Sequence, residues 1–69
     1  MDRTYVTSSL IQSIGYDANS QTLEIEFVKG GVYQYSGVSE DEYAGLMGSE
    51  SHGKHFLANI RDKYPFTRC

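Results

Sequence analysis

The segment Thr22–Val28 alternates between two sets of residues, one wholly apolar and the other polar except for Val28, and this pattern constrains the fold more than any other feature of the chain. Side chains of a strand point alternately to opposite faces, so the alternation predicts a strand with one buried face. The apolar members of the alternation are Leu23, Ile25 and Phe27. Gly30-Gly31 then supplies the positive φ that a tight hairpin needs, and residues 32–37 form the returning strand.

The length of the hairpin loop decides which way two tyrosines point. A two-residue loop would place Tyr33 and Tyr35 on the face of the glutamates and leave Gln34 beside Phe27. A three-residue loop with a glycine bulge reverses this assignment and puts both tyrosines on the apolar face. We favour the three-residue loop, because the two-residue loop would bury Gln34.

The rest of the chain predicts one more strand and two helices. Residues 10–16 alternate as a strand and end at a turn-prone run. Ser39 and Glu42 fit a capping box at the start of a helix that Gly48 ends. A second helix follows residues 49–53 and is terminated by Pro65. Its core stripe is formed by Phe56, Leu57, Ile60 and Tyr64.

These elements predict an α+β fold, a three-stranded antiparallel β-meander followed by two C-terminal helices packed on one face. Residues 1–7 are expected to be a loosely held N-terminal arm, although Tyr5 and Val6 could extend the first strand. Residues 8–66 then form a single domain and residues 67–69 a C-terminal tail. The expected core is Ile14, Leu23, Ile25, Phe27, Tyr33, Tyr35, Tyr43, Leu46, Phe56, Ile60 and Tyr64.

Size and charge narrow the classes of function. A chain of 69 residues has material for one thin core, which argues against a buried catalytic cleft. Apolar runs are too short for a membrane span or a signal peptide, so a cytoplasmic protein without a membrane partner is expected. Residues 1–50 carry two basic side chains against eight carboxylates, a net of −6, whereas residues 51–69 carry +3. An anion would approach the C-terminal end, but the acidic total argues against long duplex DNA.

Several runs of the chain match a known pattern. They are Ser8-Ser9, Ile14-Gly15-Tyr16-Asp17, Leu23-Glu24-Ile25-Glu26-Phe27, Tyr33-Gln34-Tyr35, Gly37-Val38, Tyr43, Ser51-x-Gly53, Phe56, Ile60-Arg61 and Tyr64-Pro65. Together they resemble the KTSC domain, named for the C-terminal region of some lysyl-tRNA synthetases and found also as short stand-alone bacterial and phage proteins. The resemblance covers roughly residues 8–66. It implies a fold and, through the synthetase association, RNA or nucleotide-type ligands.

The start of the second helix is a candidate phosphate seat. Its free backbone N–H groups and positive dipole end attract anions, with Ser51 and Gly53 at the turn and Lys54 and His55 adding charge. Arg61 follows Lys54 by about two turns of the same helix face and would grip a second phosphate. The structural alternative is that Ser51 caps the helix and Gly53 eases a turn. Arg61 would then pair with one of Glu24, Glu26 or Asp62.

Tyr33 and Tyr35 are the second argument for a nucleic-acid ligand. Paired aromatic residues on the sheets of RNA-binding domains stack bases. In the register that we favour both rings are core residues, and their hydroxyls reach a partner at the sheet edge. A hydroxyl at the rim of a pocket beside Lys54 would still contact a ligand.

No pattern in the sequence nominates an enzyme. His52 and His55 have a spacing that zinc ligands use, but no further ligand pair stands at a suitable distance. Cys69 is terminal and lacks rigid partners that would activate a thiol. Neither a phosphate-binding glycine loop nor a nucleophile elbow is present. We therefore expect no catalytic residues, metal or cofactor.

The sequence thus predicts a non-enzymatic small binding domain for a phosphate-bearing ligand. The ligand is a nucleotide, including a cyclic or signalling nucleotide sequestered by a phage or bacterial protein, or a short RNA. The predicted ligand-binding residues are Ser51, Gly53, Lys54, His55, Arg61, Tyr33 and Tyr35. A homodimer or higher homo-oligomer would enlarge the site, because one copy has little room to enclose a ligand. The alternative is a protein interaction module that docks through its sheet edge or its Glu-rich face.

Overall fold

The computed structural model describes residues 2–69, and within them the chain forms five strands and two helices. In chain order these are β1 (Arg3–Tyr5), β2 (Ile11–Asp17), β3 (Thr22–Phe27), β4 (Val32–Tyr35), α1 (Glu40–Gly48), α2 (His52–Asn59) and β5 (Phe66–Arg68). The strands form one antiparallel sheet in the order β1-β2-β3-β4-β5. The α+β class with an antiparallel sheet and two helices is confirmed, but the sheet has five strands where three were predicted.

The two additional strands lie in the segments predicted to be an arm and a tail. Arg3–Tyr5 pairs with β2, and Phe66–Arg68 pairs with β4. All six residues are exposed, so neither strand carries an apolar alternation that could reveal it. Both chain ends are therefore parts of the sheet and not loose extensions.

The β3–β4 hairpin has the predicted three-residue loop. The backbone N–H of Phe27 donates to the carbonyl of Gly31 over 3.1 Å, which leaves residues 28–30 as the loop. Gly30 and Gly31 adopt φ values of 108° and 92°, which only glycine reaches without strain. Opposite partners in the ladder share a face, and Tyr33 lies opposite Ile25 while Tyr35 lies opposite Leu23. The prediction that both tyrosines join the apolar face is confirmed.

A β-bulge in β2 changes the predicted face of its first residues. Ile11 pairs with Phe27 but Ser13 pairs with Glu26, so Gln12 is an extra residue in the ladder. The alternation skips at the bulge, and Ile11 and Ile14 point to the same side. The strict alternation predicted for residues 10–16 therefore fails at the bulge, because Ile11 is fully buried in the core while Leu10 also packs against it.

The core lies between the sheet and the two helices. Its fully buried members are Ile11, Ile14, Leu23, Ile25, Tyr35, Val38, Leu46, Phe56 and Ile60. The remaining predicted core residues, Phe27, Tyr33, Tyr43 and Tyr64, are partly buried against them. Ile11 and Val38 are the buried residues that the sequence analysis missed.

Helix α1 begins and ends where the sequence predicts. The Ser39 hydroxyl accepts from the backbone N–H of Glu42 over 3.2 Å, and the helix ends at Gly48. The ring of Tyr43 stacks on that of Tyr16 with centroids 4.6 Å apart, and the Tyr16 hydroxyl donates to the carbonyl of Val38. These contacts fix the start of α1 on the sheet.

Helix α2 is shorter than predicted. The Ser51 hydroxyl accepts from the backbone N–H of Lys54 over 3.3 Å, but the helix ends at Asn59, well before Pro65. The N–H groups of Ile60 and Arg61 both donate to the carbonyl of Phe56, at 2.9 and 3.0 Å, which closes the last turn. The predicted stripe therefore does not continue along one helix to Tyr64.

The face of the sheet turned away from the helices carries a polar network, here called the outer network. The Arg3 guanidinium lies 3.3 Å from the carboxylate of Glu24 and 3.7 Å from that of Glu26. The buried Ser13 hydroxyl donates to Glu26 over 2.8 Å, and the Gln34 amide donates to Glu24 over 2.9 Å. The two central carboxylates of this face are thus satisfied within the chain.

Candidate ligand-binding cleft

Five aromatic side chains form a closed ring of contacts on the covered side of β4 and β5. Neighbouring ring centroids are 5.4 to 5.6 Å apart, in tilted or edge-on geometry. In order around the ring they are Phe27, Tyr33, Phe66, Tyr35 and Phe56. Aromatic pairs are most favourable at such separations and angles, so the five side chains build a firm apolar surface.

The sheet register brings the five rings together. Tyr33 and Tyr35 are two residues apart on β4 and share a face, and Phe66 of β5 lies directly opposite Tyr35. Phe27 ends β3 beside Tyr33, and α2 places Phe56 over the sheet. Each ring therefore comes from a different position along the chain, and only the fold makes them neighbours.

The five aromatic side chains line an open cleft of about 500 Å³. Leu10, Leu57, Lys29, Gly30, Arg61 and Asp62 complete its lining. Phe66 is 56% exposed and Leu57 43% exposed, so apolar surface remains in contact with solvent. A mostly apolar cleft of this volume with a few polar groups at its rim has the form of a small-molecule site.

Two cations stand at the hairpin: Lys29 lines the cleft there, and Arg68 lies beside the cleft without lining it. Lys29 and Gly30 belong to the β3–β4 loop. The guanidinium carbon of Arg68 lies 5.8 Å from the ring centroid of Tyr33, a cation–π contact. Within residues 2–69 neither Lys29 nor Arg68 forms an ion pair with a carboxylate. This end of the cleft is positive although the chain as a whole is acidic.

An ion pair stands near the other end of β4. The guanidinium of Arg61 lies 3.5 Å from the carboxylate of Asp62, and both side chains are largely exposed. Their charges also act on the Tyr35 hydroxyl: burial chiefly raises its pKa, Tyr33 and Asp62 add to the rise, and Arg61 opposes it. The Tyr35 hydroxyl is therefore protonated at neutral pH and is able to donate a hydrogen bond.

The Tyr35 hydroxyl has no partner in residues 2–69, where the side-chain hydrogen bonds leave it unused. Every fully buried polar side-chain atom in that range is satisfied. The hydroxyl must therefore reach solvent in the cleft even though the residue is only 3% exposed. It offers a free donor and acceptor at the floor of the site.

The residues predicted to bind a ligand do not form one site. Tyr33, Tyr35 and Arg61 line the aromatic cleft, whereas Ser51, Gly53 and Lys54 line a second depression of about 290 Å³ beside residues 7–10. The expectation that Lys54 and Arg61 share one helix face is wrong, because α2 ends at Asn59.

Structural contacts account for much of the second depression. The Ser51 hydroxyl caps α2, as the structural alternative proposed. A Cβ atom on Gly53 would lie 3.3 Å from both the Leu10 side chain and the Ser8 hydroxyl. Glycine there lets α2 approach the chain's own segment before β2 without crowding these two side chains.

His55 and Arg61 both have partners within the chain. The His55 Nε2 atom lies 3.2 Å from the carboxylate of Glu42 and links α2 to α1, and it lines neither depression. Arg61 forms its ion pair with Asp62. The other two partners that the sequence suggested, Glu24 and Glu26, pair with Arg3 instead. Within residues 2–69 no three His, Cys, Asp or Glu side chains are grouped as a metal site, and no helix is long and apolar enough to cross a membrane.

Sequence reasoning missed several residues of the cleft. They are Phe66, Leu57, Lys29 and Asp62, with Arg68 beside the cleft over the Tyr33 ring. Phe66 follows Pro65 as the first residue of a strand, and its alternation with Thr67 and Arg68 is the one signal present. Three residues are too few to distinguish a strand from a tail.

Fold and cleft together define a small α+β domain whose sheet carries an aromatic cleft beside its C-terminal strand. The family model of the KTSC domain matches residues 7–64. The chain therefore belongs to the KTSC domain family, and the resemblance found in the sequence is confirmed.

Relatives of this chain include single-domain and larger proteins. The crystal structure of a KTSC domain protein from Yersinia pestis aligns with a TM-score of 0.96 and 40% identity over 99% of this chain and 96% of that one. An uncharacterized protein of Stutzerimonas stutzeri is 39% identical over 56 residues, which are 81% of this chain and 79% of that protein. A lysine–tRNA ligase of Nostoc punctiforme is 38% identical over 58 residues, which are 84% of this chain but 10% of the ligase.

Proposed function

We propose that this KTSC domain is a non-enzymatic binding domain that holds a nucleotide unit in its aromatic cleft. The observation that carries the proposal is the ring of five aromatic side chains with unpaired cations at its hairpin end. Every nucleobase has an aromatic face, and every nucleotide has a phosphate. The cleft offers a partner for each of these two groups.

Stacking supplies the affinity in this proposal. Base–aromatic stacking contributes about 1–3 kcal/mol per base in single-strand binding proteins. Phe66 and Tyr33 are the accessible rings, since Phe56 and Tyr35 are almost fully buried. A base on these two rings would cover apolar surface that the chain leaves open to solvent.

The source of the nucleotide unit is either a free nucleotide or a short single-stranded RNA. The name of one relative, lysine–tRNA ligase, includes an RNA, and this supports the RNA source. The volume of the cleft, about 500 Å³, supports a single unit and so is equally suited to a free, cyclic or signalling nucleotide. A titration with both monophosphates and oligonucleotides separates the two sources.

The rival proposal is docking of a protein on the sheet edge or on the Glu-rich face. The outer network weighs against the face, because Arg3 already neutralises much of the charge of Glu24 and Glu26. The free edges are strands of three residues each, and short edge strands are poor templates for strand addition. Lys29 and the Tyr35 hydroxyl, which have no side-chain partner among residues 2–69, lie in the cleft instead.

Titration followed by amide NMR on the ¹⁵N-labelled chain tests the proposal. The panel contains the nucleoside monophosphates, cyclic dinucleotides, and oligouridylate and oligoadenylate of a few residues. Binding in the cleft is expected to shift the amides of Tyr33, Tyr35 and Phe66 together. A free-nucleotide domain binds monophosphates as tightly as oligomers, whereas an RNA-binding domain gains affinity with each added residue.

Matched variants place the ligand. Phe66→Leu is expected to weaken binding by at least about fivefold, because stacking is lost while apolar volume remains. Lys54→Ala is the control, since Lys54 lines only the second depression. Loss of binding in Lys54→Ala with none in Phe66→Leu would move the site to the start of α2. A panel that shifts no amide would refute nucleotide binding, and binding of a partner that Glu24→Lys with Glu26→Lys abolishes would establish the rival.

A further inference from the structure

The charge along the cleft is asymmetric. Lys29 lines the cleft at the hairpin, with Arg68 beside it over the Tyr33 ring. Asp62, whose charge acts on the Tyr35 hydroxyl, is the one carboxylate among the described residues, 2–69, that line the cleft. Tyr35 and Val32 bound β4, and three residue steps along a strand span about 10 Å. The strand is therefore long enough for groups near its two ends to contact different parts of one nucleotide.

A phosphate and a base edge have different requirements. A phosphate carries negative charge and is repelled by a carboxylate, so the end that holds Asp62 does not suit it. The hairpin end, with two cations and open space beside Gly30, does suit it. An ion pair offers a donor in Arg61 and an acceptor in Asp62, which match the mixed donors and acceptors of a base edge.

We propose that the cleft binds a nucleotide in one orientation, with its phosphate at Lys29 and Arg68 and the polar edge of its base at Arg61 and Asp62. In this orientation Asp62 selects bases that carry an exocyclic amino group. The inference rests on the proposed function, because it names the ligand chemistry of the same cleft.

The selection follows from the chemistry of a carboxylate. An ionised Asp62 only accepts hydrogen bonds, and the amino groups of cytosine, adenine and guanine donate them. Uracil carries a carbonyl oxygen where cytosine carries its amino group. Hypoxanthine carries a hydrogen where guanine carries its amino group. A carbonyl oxygen repels the carboxylate, and a hydrogen on carbon leaves it without a partner.

The Arg61–Asp62 pair is free to turn toward a ligand. Both side chains are largely exposed, and an exposed ion pair between neighbours contributes little to stability. The Tyr35 hydroxyl beside them is protonated and unpartnered within the described residues, so it adds a third polar group to the base-reading end. No core contact has to break for these groups to bind a base.

Calorimetric titration with matched nucleotides tests the selection. The two pairs are cytidine against uridine monophosphate and guanosine against inosine monophosphate, each of which differs at the amino group. The wild-type chain is expected to prefer the amino-bearing member of each pair by about tenfold, the scale of a good polar base contact. Asp62→Asn is expected to lose this preference, because its amide also donates. Asp2→Asn removes the same charge beside β1, at the far edge of the sheet, and is expected to keep it.

A second comparison tests the orientation. Cytidine lacks the phosphate of cytidine monophosphate and is expected to bind at least about fivefold more weakly to the wild type. Lys29→Ala with Arg68→Ala is expected to narrow that difference while leaving the cytidine-over-uridine preference intact. If the preference disappears in this variant while the phosphate effect remains, the orientation is the reverse of the one proposed.

The outcomes separate this inference from the function on which it rests. Nucleotides that bind in the cleft with equal affinity within each pair, in wild type and Asp62→Asn alike, would overturn the inference and leave the proposed function standing. A chain that binds none of the four monophosphates in calorimetry or by amide shifts would overturn both. If Phe66→Leu weakens nucleotide binding but keeps the preference for the amino-bearing member of each pair, both the function and the inference are supported.

Discussion

The two faces of the sheet differ in how far their side chains are paired or covered. On the outer face every central carboxylate has a partner, since Glu24 bonds Arg3 and Gln34 and Glu26 bonds Ser13. On the covered face the helices bury the central residues but leave Phe66 and Leu57 open to solvent. The central carboxylates of the outer face are satisfied, although Tyr5 at the edge of that face is 71% exposed. The covered face leaves apolar surface open around the cleft. A binding site is therefore expected on the apolar side, where the sequence predicted core residues and, in Tyr33 and Tyr35, two candidate ligand contacts.

The difference arises from the shortness of α2. The helix ends at Asn59, and the chain turns through residues 60–65 before it enters β5. A helix that continued to Pro65 would place further side chains over the strands. Because it stops early, the rings of β4 and β5 are covered on one side by Phe56 and remain open on the other.

The largest expected effect comes from breaking the covered face at its centre. Phe56 is 1% exposed and contacts the rings of Phe27 and Tyr35. Phe56→Ala is expected to lower the free energy of unfolding by about 3–5 kcal/mol, the usual cost of a large core cavity. Urea unfolding followed by circular dichroism measures it. Leu57→Ala, one residue on and 43% exposed, is the control and should cost only about 1 kcal/mol. Equal losses in the two variants would contradict the burial described here.

A smaller effect is expected from breaking the outer network. The buried Ser13 hydroxyl donates to Glu26 over 2.8 Å, and hydrogen bonds to charged groups contribute about 1.5–3 kcal/mol. Ser13→Ala is expected to destabilise the chain near the lower end of that range, because Arg3 remains beside Glu26. The matched control is Ser20→Ala, whose hydroxyl bonds Thr22 at the surface and whose loss should be close to neutral. A neutral Ser13→Ala would mean that the outer network adds nothing to stability.

The helix that covers the cleft depends on its cap. Ser51→Ala removes the acceptor for the backbone N–H of Lys54 and is expected to cost about 1 kcal/mol in urea unfolding. Ser51→Gly should cost only a few tenths of a kcal/mol, because glycine is itself tolerated at the position before a helix. If the two variants are equally destabilised, the hydroxyl has a role besides capping, and a bound phosphate at the second depression becomes the explanation to test.

The smallest expected effect is the pH dependence of stability that Tyr35 on the covered face causes. Burial raises the pKa of Tyr35 above its ordinary value of about 10, so the folded state holds this proton more tightly than the unfolded chain. The resulting stabilisation is complete below about pH 10 and is lost as the pH rises through the folded-state pKa. Above pH 10 the Tyr35→Phe variant is expected to lose stability with rising pH less steeply than the wild type. Melting temperatures determined at each pH measure this slope. Tyr5→Phe, at a site 71% exposed, should keep the wild-type slope.

Much of the fold was predictable because it depends on local patterns. The alternation of β3, the glycines of the hairpin and the Ser39 cap are read from neighbouring residues, and each is present in the structure. The bulge at Gln12 was not predictable, since nothing in residues 10–16 marks where one ladder position is skipped. The three-residue strands β1 and β5 were missed because pairing, and not their own pattern, defines them.

The candidate site was predictable only in part. Tyr33, Tyr35 and Arg61 were singled out from the sequence and do line one cleft. Lys54 was joined to Arg61 through an assumed helix that the structure ends at Asn59. Phe66 could not be found, because its role follows from lying opposite Tyr35 in the sheet. Contacts between distant segments are what local periodicity cannot supply.

The long connection between β4 and β5 also sets an order of events in time. Residues 36–65 separate these partners, whereas short loops join the other paired strands, and closing a longer loop costs more chain entropy. The β5 strand has three exposed residues and one neighbour, so little holds it against transient detachment. The wall of the cleft that contains Phe66 is therefore expected to form late in folding and to open through local fluctuations of β5. A ligand stacked on Phe66 would slow that release, and its residence time would be tied to the fraying of the C-terminal strand.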